Sequence, residues 1–485
     1  MTLTSMSLLS REDIERMHDA SLHILSEVGV MVESASVRDM FRSAGANVDD
    51  SKQLVHLDER LVLSSIESAP KSIRISSRGG TDVTIPGDGV QLISTDGQPP
   101  AVFDAETGTK RASTLSDLKD FIVLADALPE VGFVWPSVVA TDMPSDRSSF
   151  YEFLVAMAYT SKHVQHGAAS SEEARFQIEV CSAILGSEDE LRARPIFSDV
   201  CTPISPLRYD AGETEALVTL SKAGVPVVNL SMAIAGAVTP ASVAGSLAVI
   251  NAENLCGLTM TQLASPGSPS VYSSFSGVMD LKSGVFLCGT PEGILMDSAA
   301  VQMGKHYGLP TCAGGPSNAA RSLSSEAGLE TAITAASALL MGTDMMVGLG
   351  GIDRAGMMSK EKLVMDCEVW RWLTRMRRGI DITDETLGLD AIARQGPGGT
   401  FLSDIHTAKC MRKELMIPQV TAYHVKREPD RTEDELVTFA IKRTKELLST
   451  HEPPLLSRDV AERVGEVAKR YGILMPDGSQ VFEHA

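Results

Sequence analysis

Residues 226–264 read PVVNLSMAIAGAVTPASVAGSLAVINAENLCGLTMTQLA. The opening PVVNLS is short, apolar and β-branched, which predicts a buried strand. After Thr239-Pro240 comes a long stretch of helix-forming residues. A cap residue followed by proline is a common helix start, so Thr239 is expected to cap this helix. A buried strand followed by a helix is one β-α unit.

The unit recurs along the chain. Short β-rich runs begin at Val131 (VGFVW), His163 (HVQHG), Pro195 (PIFSDV), Pro226, Pro269 (PSVYSS), Leu309 (LPTCAGG) and Asp344 (DMMVGLGG). Their starts are 32, 32, 31, 43, 40 and 35 residues apart. Helical stretches fill the gaps, with Thr290-Pro291-Glu292 and Ser359 as further start signals. Strands alternating with helices at this spacing predict parallel β-α units. About eight units in roughly 250 residues suit an α/β fold of the TIM (β/α)8 type. Seven strands are placed in this way, and the eighth can come from either flank. A doubly wound sheet is the competing architecture. Its phosphate loop is missing, because Gly348-Leu349-Gly350-Gly351-Ile352-Asp353 lacks the third glycine of G-x-G-x-x-G.

The flanks read differently. Ser10 and Asp13 form a helix-start box before Ile14, Met17, Leu22, Leu25 and Val28, and Gly29 is a stop. From Leu57 to Arg111 the signal is short strands and turns outside the repeat. Residues 1–118 are therefore expected to be an N-terminal α+β region, 119–380 the barrel, and 381–485 a C-terminal helical extension whose charged tail starts near Glu433.

The 485 residues are 43% hydrophobic and 22% charged, an ordinary globular balance. The net charge of −20 argues against a nucleic-acid surface and against docking on an anionic membrane. No apolar run approaches a membrane span and the N-terminus has no secretory pattern, so a cytoplasmic location is expected. Seven cysteines with no C-x-x-C pair are expected to be reduced thiols.

Several segments resemble the trimethylamine methyltransferase superfamily. They are Ala69-Pro70-Lys71-Ser72-Ile73 with Arg78, Thr160-Ser161-Lys162-His163-Val164, Gly236 to Gly245 with Asn251-Ala252-Glu253, Gln262-Leu263 with Pro266-Gly267, Met279 to Gly284, Gly289-Thr290-Pro291-Glu292, and GPGGTFL with His406-Thr407. They keep their order across most of the chain. The resemblance implies a barrel enzyme that passes a methyl group from an amine to the Co(I) of a corrinoid (cobalamin) carried by a partner protein. No cofactor would be held tightly by this chain. Trimethylamine-specific members carry pyrrolysine in a late barrel loop. The matching loop here, Gly314 to Ser325 (GGPSNAARSLSS), holds only standard residues. That points to the branch using quaternary amines such as glycine betaine. A quaternary nitrogen leaves as a neutral amine and needs no general acid and no metal. What it needs is alignment in a dry pocket.

Barrel sites gather where strands end. Trp135, Tyr272 and Phe275 are candidate aromatic walls for the cation. Asn318, Arg321, Asp353, Arg354 and His406 are candidate polar contacts for substrate. Gly314, Gly315, Gly350 and Gly351 would allow a corrinoid ring to approach bare backbone. A homo-oligomer is expected. Rival readings are a metal-dependent barrel hydrolase or lyase using His166, Asp199 and Asp353, a Schiff-base aldolase using Lys162, and a betaine-binding barrel without turnover.

Overall fold

The computed structural model describes residues 6–416, 418 and 435–474. Eight parallel strands close into a barrel. In chain order they are β1 (Leu92–Thr95), β2 (Phe133–Val134), β3 (His163–His166), β4 (Phe197–Cys201), β5 (Val227–Ser231), β6 (Ser270–Ser274), β7 (Thr311–Gly314) and β8 (Met345–Leu349). Neighbours in sequence are neighbours in space, and β1 closes the ring between β8 and β2 through Leu92↔Met345 and Ser94↔Phe133. The seven strands read from the sequence are β2 to β8. The eighth is β1, within the stretch read as turns outside the repeat, so the N-terminal flank supplies the first barrel strand.

Each strand is followed by a helix: α1 (Leu115–Ala127), α2 (Ser148–Tyr159), α3 (Ser171–Leu185), α4 (Ala211–Ala223), α5 (Val243–Ala264), α6 (Pro291–His306), α7 (Ser325–Leu340) and α8 (Lys360–Arg378). Thr290 and Ser359 cap α6 and α8 as expected, and Ser10 with Asp13 forms the first helix box. Thr239 does not cap α5. Its carbonyl accepts from Gly236 N–H in a turn and its hydroxyl bonds Ser246 Oγ at 2.7 Å, so the chain enters the helix three residues later, with Ser242 as the cap. The stretch read as strands and turns also holds a helix, Glu59–Ser68, capped by Asp58.

Alternation along the strands sorts side chains between two cores. Leu92, Phe133, Val200, Val228, Leu230, Val271, Cys312, Met345 and Val347 fill the lumen. Their neighbours Ile93, Val134, Val164, Phe197, Val227, Tyr272 and Met346 join the larger core under the helices. The hairpin Ile73–Ser76 and Asp82–Ile85 plugs the N-terminal end of the barrel, adding Ile73, Ile75 and Ile85 to the lumen core. Truncating a lumen side chain such as Phe133 to Ala should cost about 3–5 kcal/mol. With one end plugged, the lumen opens only where the strands end.

Two small sheets flank that mouth. One joins Ala101–Asp104 and Thr109–Ala112 to Gly351–Ile352 and Met357–Met358, and the other joins Ile234–Ala235, Gly277–Asp280 and Val285–Leu287. The C-terminal helices Glu435–Thr450 and Arg458–Arg470 pack outside the barrel on α8 and α3. Glu433, where the tail was read to start, lies outside the described residues. Among the described residues no helix is long and apolar enough to cross a membrane, and all seven cysteines are unpaired.

Candidate active site

The mouth has two sides of different chemistry. On the β1–β3 side three inward-facing rows end in polar groups. Ser94 pairs with Phe133, and Phe133 with His163. Two residues further along each strand stand Asp96, Trp135 and Gln165. Trp135 packs on the lumen core and its Nε1 hydrogen has no partner. Gln165 is 1% exposed, and neither its amide oxygen nor its amide nitrogen is bonded. A buried polar group left unbonded costs about 1–3 kcal/mol. Trp135 is held in place from below and behind. Its backbone N–H donates to Ser94 Oγ and Thr95 Oγ1, and Gly97 lies flat on the indole, where a Cβ would come 2.5 Å from Cε2. Asp96 accepts only the Gly97 N–H, at 2.9 Å, and burial pushes its carboxyl up to about 6.

The β7–β8 side is mostly bonded to itself, and among its named polar groups the buried Asn318 Oδ1, an acceptor, is left without a partner. Asn318 donates from Nδ2 to the Gly351 carbonyl at 2.8 Å, and its own carbonyl accepts from Arg354 N–H. The backbone N–H of Asp353 donates to the Ala320 carbonyl. Asp353, Arg354 and Ala355 all have left-handed φ, at 54°, 61° and 58°. The Asp353 carboxylate faces Lys110 at 3.6 Å, Arg321 at 3.6 Å, and Arg354. Three cations therefore share one carboxylate, which leaves little of its field for a cationic ligand. Arg321 itself is an exposed rim residue, with 74% of its side chain in solvent.

Phe275 stands between the lumen and a small lateral cavity of about 20 Å³ bordered by Ser276, Cys288, Asp297, Gly314 and Ser317. Asp297 accepts from Ser274 Oγ at 2.7 Å and Ser276 N–H at 2.9 Å, and burial raises its carboxyl to about 8.

Sequence and structure part company at several candidates. Tyr272 faces away from the lumen, and its hydroxyl donates to Asn251 Oδ1 beneath the helices. His406 sits on the C-terminal helix Ile405–Glu414, where Nε2 meets the Glu385 carbonyl at 2.8 Å, remote from the mouth. The four glycines are bare for packing reasons internal to the chain. A Cβ on Gly314 would come 2.5 Å from the Phe275 ring, one on Gly315 would crowd Met346, one on Gly350 would meet Met358 and Leu363, and one on Gly351 would run into Asp96 Oδ2. Trp135, Phe275, Asn318, Arg321, Asp353 and Arg354 all follow the ends of barrel strands, Trp135 after β2, Phe275 after β6, Asn318 and Arg321 after β7, and Asp353 and Arg354 after β8.

Asp96, Gln165 and Asp297 were missed. Gln165 carried a signal, since it alternates with His166 in HVQH and must face opposite to it. The rival residues do not gather. His166 and Asp199 are register partners that leave the lumen for the helix layer, where burial depresses His166 to about 4 and drives the Asp199 carboxyl up. Asp353 is across the barrel in the rim hairpin. Lys162 lies at the plugged end, its Nζ donating to the Ala125 and Leu128 carbonyls. The Asn251-Ala252-Glu253 segment is scaffolding for the β4–α4 loop, with Glu253 accepting from Ser205 Oγ at 2.9 Å and Leu207 N–H at 2.8 Å.

A barrel plugged at the start of its strands, with unpaired polar groups at their ends, has the layout of a barrel enzyme. The sequence matches the family described as trimethylamine methyltransferase over residues 1–472, and the chain belongs to that family. It is 28% identical over 461 residues to a glycine betaine methyltransferase of Desulfitobacterium hafniense, covering 94% of this chain and 95% of that one. It is 29% identical over 406 residues to a trimethylamine methyltransferase MttB of the same species, covering 84% and 82%. A third relative, MttB of Methanosarcina thermophila, is 29% identical over 412 residues, covering 82% and 83%. The crystal structure of the hydroxylamine complex of MtmB shares the fold, with a TM-score of 0.51 at 13% identity over 92% of this chain and 96% of that one.

Proposed function

We propose that this methyltransferase takes its methyl group from a betaine, a quaternary amine that also bears a carboxylate, and delivers it to Co(I) of a corrinoid on a separate protein. The observation that carries the substrate class is the pair of unpaired N–H donors at the mouth, Trp135 Nε1 and Gln165 Nε2. Two donors without acceptors suit a carboxylate, which accepts at both oxygens. The indole face and Phe275 suit the trimethylammonium end, at about 0.5–2 kcal/mol per ring. Asp96 adds a single unpaired carboxylate nearby. Trimethylamine would leave both N–H groups unsatisfied.

The division of labour follows from the charge change. In the displacement the methyl–nitrogen bond breaks, its electron pair stays on nitrogen, and the positive charge disappears. Binding energy placed on the cation favours the starting state, whereas binding energy placed on the carboxylate is kept throughout. Donors for the carboxylate with modest aromatic contact for the cation meet both needs.

The glycines at 314, 315, 350 and 351 do not fit a corrinoid ring, because side chains of this chain occupy their bare faces. The acceptor is therefore treated as a second substrate, brought by its carrier to the open end of the barrel. The test is an anaerobic spectral assay. The chain is mixed with a corrinoid protein reduced to Co(I), one amine is added, and loss of the Co(I) band is followed. Rapid loss with glycine betaine and not with trimethylamine is expected. Equal rates with the two amines would sink the betaine reading.

A further inference from the structure

A buried charge pair stands behind the rim of the mouth. Lys362, in the first turn of α8, is 1% exposed and is the one buried lysine among the described residues. Its ammonium pairs with Asp366, one turn on and 2% exposed, and donates to Thr331 Oγ1 of α7 at 2.9 Å. Taking both charges out of water is costly, and apolar side chains of similar size are often neutral in such a place or better. Stability alone therefore does not account for the pair. Its position does. Asp366 Oδ2 accepts the Gly350 N–H at 2.8 Å, and Asn318 donates to the Gly351 carbonyl. The two glycines are thus pinned from both sides. Gly351 in turn lies against Asp96, where a Cβ would come 2.1 Å from Oδ2. Contact is unbroken from the Lys362 ammonium, through Asp366 and the glycines, to the carboxyl at the mouth.

The pair also acts on Asp96 through space. Burial pushes the Asp96 carboxyl up to about 6, the Gly97 N–H and the Lys362 ammonium draw it down, and the Asp366 carboxylate pushes it up. The Cys288 thiol beside it, lifted to about 12 chiefly by burial, stays neutral. We propose that Lys362 and Asp366 are positioning residues for Asp96, fixing its place on the rim and governing its charge. The inference rests on the reading that Asp96 faces the cation of the substrate. A carboxylate charged under all conditions would favour the starting cation over the transition state, and a neutral one would give the cation no field at all. One cation and one anion behind Asp96 hold it between these limits.

The test reads Asp96 without substrate. Gly97 donates to Asp96 and lies flat on the Trp135 indole, so Trp135 emission reports on the Asp96 charge. In a Trp370→Phe/Trp372→Phe background Trp135 is the one tryptophan left. Its emission should change once, with a midpoint near pH 6, and Asp96→Asn should abolish the change. Lys362→Met should raise the midpoint by about one pH unit or more. Asp366→Asn, which keeps an acceptor for the Gly350 N–H, should lower it. A purely structural pair would not move the midpoint in opposite directions. Midpoints that stay at the wild-type value, or that move together, would overturn the proposal. So would a wild type with no change that Asp96→Asn removes. If Lys362→Met folds poorly, Asp366→Asn alone decides, because the proposal requires a lowered midpoint there. In each variant kcat/KM for glycine betaine should follow the midpoint. Opposite shifts that kcat/KM does not follow would uphold the positioning and count against the substrate role of Asp96.

Discussion

The two sides of the barrel mouth hold similar numbers of polar groups and use them in opposite ways. On the β7–β8 side, Asn318, Asp353, Arg354 and Arg321 are bonded to one another and to loop carbonyls, with a single buried acceptor, Asn318 Oδ1, left over. On the β1–β3 side, Trp135 and Gln165 keep buried atoms without any partner. Charge density alone would choose the first side as the binding site. The unpaired donors choose the second, because Trp135 Nε1 and Gln165 Nε2 both lie there and a buried donor without an acceptor calls for a partner that a ligand can supply. The lesson is that a cluster of charges already in mutual contact is a brace, and that unused donors mark the place left for a substrate.

The largest expected effect tests that contrast directly. Gln165→Leu removes two unbonded amide atoms and leaves an apolar side chain of similar size. The fold should be unharmed or slightly more stable, since no native bond is lost. Turnover of glycine betaine should fall, because a charged hydrogen bond is worth about 1.5–3 kcal/mol, or roughly ten- to hundredfold in kcat/KM. Tetramethylammonium, which lacks the carboxylate, should lose much less. Equal losses for the two substrates would show that Gln165 does not read the carboxylate.

Next in size is the point where the two sides touch. A Cβ on Gly351 would strike Asp96 Oδ2. Gly351→Ala must therefore move Asp96 or the rim hairpin, at a cost of up to about 3 kcal/mol from overpacking. Thermal unfolding gives the cost. A neutral result would mean that the two sides are not rigidly coupled.

Asp96 itself predicts a pH effect. Burial lifts its carboxyl to about 6, above the roughly 3.9 of an unfolded chain. Between those values the folded state binds the extra proton. The contribution to stability is complete below the unfolded value and is lost as pH rises through about 6. Asp96→Asn should thus be nearly neutral at pH 4 and stabilise by about 3 kcal/mol at pH 8. If the ionised carboxylate helps hold a cation, kcat/KM of the wild type should rise through pH 6, and the Asn variant should be flat. A rise kept in the variant would assign it to another group.

The barrel was legible because seven strands announce themselves as apolar runs at a steady interval. β1 did not, because Leu92–Thr95 is four residues between turn-rich segments, with sheet hairpins and not a long helix before it. The site was legible only to the level of strand ends. Tyr272 and Phe275 lie three apart at the end of one strand, and sequence does not say which parity faces the lumen. A register shift of one residue would exchange them. The structure puts Val271 and Phe275 inside and Tyr272 outside. Likewise the glycine pairs looked like bare backbone for a ring, and only the fold shows that Phe275 and Asp96 already fill those faces.

The smallest effect is expected at Arg321, which makes it the cleanest check on the brace. Its guanidinium lies 3.6 Å from Asp353, and most of the side chain is in solvent. Lys110 and Arg354 remain on the same carboxylate when it is removed. An exposed ion pair with substitutes contributes about 0–1 kcal/mol. Arg321→Ala should therefore change stability by less than about 0.5 kcal/mol and kcat/KM for glycine betaine by less than about threefold. Arg321 stands in the loop after β7 as a candidate substrate contact, so a large loss is what such a contact would produce. A hundredfold drop at unchanged melting temperature would move the binding site to the β7–β8 side and reverse the contrast between the two halves of the mouth.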